Sequence, residues 1–118
     1  MKNKIENILS VQENIEFAYL FGSYARGDFR DASDIDIAVY LNDTSLDSRL
    51  EIQHTLEVAL KKRVDLVLLN DVKNVYLLES ILKEGIVIKD AQERPLFEVE
   101  TNLAIIDFKN FKKYIDAA

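Results

Sequence analysis

Two aspartates one residue apart, Asp34 and Asp36, follow a Gly22-Ser23 pair after ten intervening residues. On a β-strand, residues i and i+2 project from the same face, so this pair presents two carboxylates together. That arrangement suits Mg²⁺, a hard cation that takes oxygen ligands and binds through one or two carboxylates plus substrate phosphates. A Gly-Ser pair at the end of a strand leaves backbone N–H groups and a hydroxyl free to meet phosphate oxygens, and at Gly22 no Cβ holds the phosphate away. A third carboxylate, Asp65, lies near the start of a later apolar run and joins the same face if the two strands are neighbours. Three acids converging on one spot repel one another unless a cation sits between them. With two cations, such a site stabilises both the attacking and the leaving oxygen of an in-line displacement at phosphorus.

Those residues need elements to hold them. Ile5, Ile8, Leu9, Gln12 and Ile15 have helical spacing, which predicts a first helix over about residues 2–13. Phe17 to Phe21 reads as a strand, and Tyr24 to Ser33 as a surface loop or short helix. Ile35, Ile37, Val39 and Leu41 alternate with Asp34, Asp36, Ala38 and Tyr40, giving a second strand whose faces differ sharply in polarity. Asn42 to Ser45 supplies a turn and a cap for an amphipathic helix ending near Lys61. Val64 to Leu69 forms a third strand. Asp71 is positioned to cap a helix running to Glu84, with Gly85 as its stop and Ile86 to Lys89 as a fourth strand. Pro95 suits the first turn of a last helix, where Phe97, Thr101, Ala104, Phe108, Phe111 and Ile115 form one stripe. The expected architecture is one α/β (α+β) domain over residues 1–118, a mixed four-stranded sheet flanked by helices.

Composition narrows the function. The 118 residues are 48% hydrophobic and 31% charged, with three Gly and one Pro, a globular profile. Against 15 basic residues stand 21 acidic ones, a net charge of -6, which disfavours nucleic acid as a direct partner. The absence of cysteine excludes disulfides, thiolate catalysis and thiolate metal sites, and fits a reducing cytoplasm. The polar N-terminus does not resemble a signal peptide, and no apolar run approaches the roughly 20 residues needed to span a bilayer. A cytoplasmic protein without a membrane partner is expected.

Gly22-Ser23, ten residues, then Asp34-x-Asp36 resembles the signature of the DNA polymerase β nucleotidyltransferase superfamily. A chance match in a chain of this length is on the order of one in a thousand. Ala25-Arg26-Gly27, Val64-Asp65-Leu66, Phe97-Glu98 and Asp107-Phe108-Lys109 also resemble the minimal nucleotidyltransferases, so the likeness spans most of the chain. The resemblance implies the nucleotidyltransferase fold. It implies that Gly22 and Ser23 hold the β- and γ-phosphates of ATP, and that Arg26 reaches a phosphate. It further implies that Asp34 and Asp36 bind two Mg²⁺ ions, while Asp65 binds one of them and activates the acceptor hydroxyl. The minimal group is known mainly as antitoxins paired with an all-helical HEPN ribonuclease, some of which silence that toxin by attaching AMP to a tyrosine. Two rival functions are a non-enzymatic module that neutralises its partner by occlusion, and a transferase acting on a small hydroxyl compound.

Each motif also has a plainer explanation. Asp34-x-Asp36 does not open an EF-hand, because the central Gly position falls on Val39 and the closing acid on Ser45. Asp65 alone is an ordinary strand-edge acid, lifted only by its companions. Arg30 needs no special purpose, and His54 sits at no motif position. The aromatic stripe of the last helix reads as core, with a partner-binding face as the alternative.

Overall fold

The computed structural model describes residues 1–117. Its elements follow the expected order: α1 (Lys2–Ser10), β1 (Ile15–Phe21), α2 (Gly22–Arg26), β2 (Ile35–Leu41), α3 (Leu46–Leu60), β3 (Val64–Leu68), α4 (Val75–Glu84), β4 (Ile86–Lys89) and α5 (Arg94–Ala117). The sheet runs β3-β2-β1-β4. β1 is antiparallel to both β2 and β4, whereas β2 and β3 are parallel. A parallel pair needs a crossover connection, and α3 supplies it. No helix among the described residues is long and apolar enough to cross a membrane.

Both faces of the sheet are covered. Ala18, Leu20 and the Ile35, Ile37, Val39, Leu41 series pack with Ile5 and Leu9 of α1 and Ile52, Leu56 and Leu60 of α3. Phe17, Tyr19, Phe21 and Ala38 form a second cluster with Ile81 of α4 and, at its edge, Phe97 of α5. The polarity contrast expected along β2 is therefore local to one end. Ala38, on the same face as Asp36, is fully buried, Tyr40 at the far end is partly covered by Phe97, and the acids reach solvent at the near end.

Several details differ from the sequence reading. α1 stops at Ser10 because a turn closes there, with Gln12 N–H on Leu9 O, and Ile15 enters the sheet opposite Leu41. α4 is capped by Asn74, not Asp71: the Asn74 side chain accepts from the N–H groups of Tyr76 and Leu77, while Asp71 turns the chain out of β3. Gly85 does end α4, in extended rather than left-handed backbone (φ -68°). A Cβ there would strike Ile81 O and lie 3.4 Å from Tyr19 Cβ, so space dictates the glycine.

The last correction concerns α5. Phe97 packs on Phe17 and Tyr40 at centroid distances of 5.2 and 5.7 Å, and Ile105 is buried. Phe111 and Ile115 remain 63% and 53% exposed, and Phe108 is also exposed. At about 1.5 Å per residue α5 outruns α4 by some 20 Å, so its later turns have nothing to bury against. The radius of gyration, 15.3 Å, exceeds the roughly 13.5 Å of a compact globule this size for the same reason. The start of α5 is tied down: Tyr19 donates to Glu98 at 2.6 Å, and Arg94 donates to both Glu98 (2.7 Å) and Asp90 (2.6 Å).

Candidate active site

The register of the sheet places the sequence motifs in one row. Phe21, the last residue of β1, faces Asp36 of β2, and Asp36 pairs with Asp65 of β3. Gly22 follows Phe21 directly, and Asp34 precedes Asp36 by two residues, so all four meet at one end of the sheet. Gly22 has φ +71°, and a Cβ on it would lie 2.9 Å from Asp36 Cγ and closer still to Oδ2. Only a glycine allows the start of α2 to rest against that carboxylate.

The spacing of the motif follows from its path. α2 occupies five residues, and Gly27 at φ 83° turns the chain out of it, with the N–H groups of Gly27 and Asp28 both donating to Ser23 O. The segment back to β2 is then pinned. Tyr24 stacks on Phe29 at 4.3 Å, Arg30 N–H donates to Ser33 Oγ at 2.9 Å, and Lys62 Nζ holds Asp31 O at 3.0 Å.

Asp36 is half-buried, whereas Asp34 and Asp65 are exposed. Burial pushes the Asp36 carboxyl up to about 6, helped by the charges of Asp65 and Asp34 and by a hydrogen bond with Asp65, while Arg26 pulls the other way. The acids are thus close enough to feel one another. Among the described residues no three His, Cys, Asp or Glu side chains stand in ready metal-holding geometry. The three carboxylates stand together at one end of the sheet, with Asp34 and Asp65 open to solvent.

Arg26, expected to reach a phosphate, is exposed and held by Asp28 (3.1 Å) and Glu84 (3.3 Å). Those partners raise its already high affinity for its proton, Asp28 first. Glu84 was not legible beforehand, since it lies 58 residues away and on another helix. Asn70 was missed as well. Its side chain accepts from Leu41 N–H and donates to Leu41 O, both at 2.9 Å, extending the β2–β3 pairing by one side chain. His54 and Arg30 take no part in the row.

A β1–α2–β2 unit that sets a Gly-Ser turn against a strand carrying two acids, with a third acid on the parallel neighbour, defines a nucleotidyltransferase. The chain matches the polymerase β nucleotidyltransferase family over residues 3–94 and belongs to it. It is 38% identical to the protein adenylyltransferase MntA of Shewanella oneidensis over 105 residues, 85% of this chain and 73% of that one. Among solved structures it resembles a toxin–antitoxin crystallised with AMP-PNP (TM-score 0.82, 32% identity, 98% of this chain and 95% of that one). It also resembles a complex of the tri-AMPylated Shewanella oneidensis HEPN toxin with its MNT antitoxin (TM-score 0.75, 30% identity, 98% and 92% covered).

Proposed function

We propose that this chain transfers AMP from ATP to a tyrosine hydroxyl of a HEPN-type partner toxin and so acts as its antitoxin. The observation that carries it is the row Gly22–Asp36–Asp65, with Asp34 beside it, at one end of the sheet. Two features of the chain suit a pair of Mg²⁺ ions there. The Asp36 carboxylate is raised in energy by burial and by its acidic neighbours, a cost that a cation relieves, and the bare Cα of Gly22 lets the start of α2 lie directly against that carboxylate. Asp34 and Asp36 would hold both ions and Asp65 one. When bound, the metal supplies positive charge to the phosphates and to the attacking oxygen.

The chain's own groups do the rest. Ser23 and the N–H groups that open α2 receive the β- and γ-phosphates, and Arg26 is available to a phosphate on releasing Asp28 and Glu84. The tyrosine oxygen attacks the α-phosphorus, the bond to pyrophosphate breaks, and Asp65 takes the phenolic proton. A protein acceptor fits a net charge of -6, which repels a polynucleotide. We place the reaction in the cytoplasm, where ATP is abundant and a chain without cysteine loses nothing to reduction.

The test is intact-mass spectrometry of the purified chain with its candidate toxin and Mg-ATP. Each transfer should add about 329 Da, the AMP residue left after pyrophosphate departs, to a toxin tyrosine located by peptide mapping. Asp34→Asn should add nothing. An unmodified toxin that is nevertheless inhibited favours occlusion, and AMP on a small molecule or RNA overturns the acceptor.

A further inference from the structure

α5 carries a second apolar stripe on the side turned away from the sheet. Leu96, Val99, Leu103 and Ile106 recur at spacings of three, four and three, and stand 62%, 57%, 58% and 53% exposed. That is the a/d seam of a helix meant to lie along another helix. Glu93, Glu100 and Asp107 follow one heptad apart along one flank, and none has an ion-pair partner among the described residues. At its N-terminal end the stripe opens onto a groove of about 380 Å³, floored by Phe17, Tyr40 and Phe97 and rimmed by Glu16, Glu93 and Glu100. Phe17 and Tyr40 stack beneath it at 4.9 Å with Phe17 buried, so the three acids of the rim are what favours a cation in the groove.

We propose that this face of α5 docks a basic amphipathic helix of a partner protein, its apolar side chains on the seam and a Lys or Arg in the groove. The charges choose this occupant over a second copy of the chain. Paired antiparallel, two copies would set the acidic flank against itself. Paired in parallel, Glu100 and Asp107 would meet Pro95 and Asn102 of the other copy, and Lys109, the one base on that side, is already held by Glu79. Neither arrangement offers the acids a partner, whereas Lys and Arg on a foreign helix do. α5 is also an addition to the catalytic unit. The family match ends at residue 94, yet the toxin–antitoxin structure covers 98% of this chain, α5 included. The groove adjoins Tyr40 and Asn42, at the opposite end of β2 from Asp36, so this surface stands apart from the catalytic row and its test does not depend on AMP transfer.

The probe is a synthetic, lactam-stabilised helix of about three heptads with Leu at its a and d positions and Lys on both flanks, and its twin with Glu in place of Lys. The expected result is that the full chain binds the Lys helix, more weakly as salt rises, and does not bind the Glu helix. Leu103→Asp with Ile106→Asp, and separately Glu93→Lys with Glu100→Lys and Asp107→Lys, should each raise the Kd at least about tenfold while circular dichroism and ATP binding stay unchanged. Four results overturn the proposal: no binding of the Lys helix, equal binding of the Glu helix, unchanged affinity in both variants, or a chain that sediments as a dimer which Leu103→Asp with Ile106→Asp dissociates.

Discussion

Asp36→Asn should stabilise the metal-free protein while abolishing transfer. The carboxyl is raised from 3.8 to about 6 by burial and by Asp65 and Asp34, a shift of roughly two units. At about 1.4 kcal/mol per unit the ionised form costs at most about 3 kcal/mol. Solvent screening at this partly open edge reduces that to about 1–1.5 kcal/mol, or some 4–6 °C in melting temperature for a chain of this size. The pH dependence has a fixed sign. Below 3.8 the group is protonated in both folded and unfolded chains and costs nothing, between 3.8 and about 6 the folded chain holds the extra proton, and above 6 the penalty is complete. Stability of the wild type therefore falls as pH rises through this window, and the advantage of Asn is full at about pH 8 and gone near pH 3.5. Thermal melts in EDTA measure it. Mg²⁺ at ten times its Kd should then raise the wild type by about 1.4 kcal/mol and leave the Asn variant unmoved. An Asn variant less stable than wild type at pH 8 in EDTA, or one that still transfers AMP, would refute the reasoning.

Asp65→Asn should lower turnover by at least about a hundredfold while ATP affinity changes little, because its work is on the acceptor side; parallel titration and single-turnover rates separate the two. Arg26→Ala should weaken ATP binding several-fold and leave the melting temperature unchanged, since its ion pairs with Asp28 and Glu84 are exposed. Isothermal titration and a melt on the same sample check both. Asn70→Ala leaves the N–H and carbonyl of Leu41 without their side-chain partners and should cost roughly 1–2 kcal/mol in urea unfolding.

The residues whose reasons are local were legible. The alternation Ile35, Ile37, Val39, Leu41 and the cap at Ser45 are written in neighbours a few positions apart, and both hold in the fold. The meeting of the Gly-Ser pair with the acids of β2 has a local basis too, since both lie in one short segment that turns back on itself. What failed depended on distance or competition. Asp71 and Asn74 both have cap chemistry, and the choice was made by how many residues the chain needs to leave β3. The α5 stripe has the period of a core helix, but period does not say how far the partner helix extends, and α4 ends too soon. Glu84 and Asn70 act on residues 58 and 29 positions away, where no pattern in the chain points.

Gly22 and Asp36 provide a test of whether the row is a unit or a coincidence of register. A Cβ added at Gly22 meets three atoms of one side chain: Asp36 Oδ2, Cγ at 2.9 Å and Cβ at 3.2 Å. Two costs therefore attend Gly22→Ala. One is the left-handed backbone at φ +71°, about 1–2 kcal/mol for a residue with a Cβ, and it is the same whatever stands at position 36. The other is the collision, which forces the carboxylate aside and, by the overpacking of similar contacts, adds about 1–3 kcal/mol. Asp36→Ala removes Oδ2 and Cγ and keeps only the 3.2 Å contact. In that background Gly22→Ala should cost the backbone amount and little more, so a double-mutant cycle should show coupling of at least about 1 kcal/mol. The double variant would be more stable than additivity allows and still catalytically dead, which separates packing from chemistry at the same two positions. Equal costs of Gly22→Ala in both backgrounds would mean that the bare Cα of Gly22 does not rest on Asp36, and the close approach of α2 to the acids would lose its physical basis.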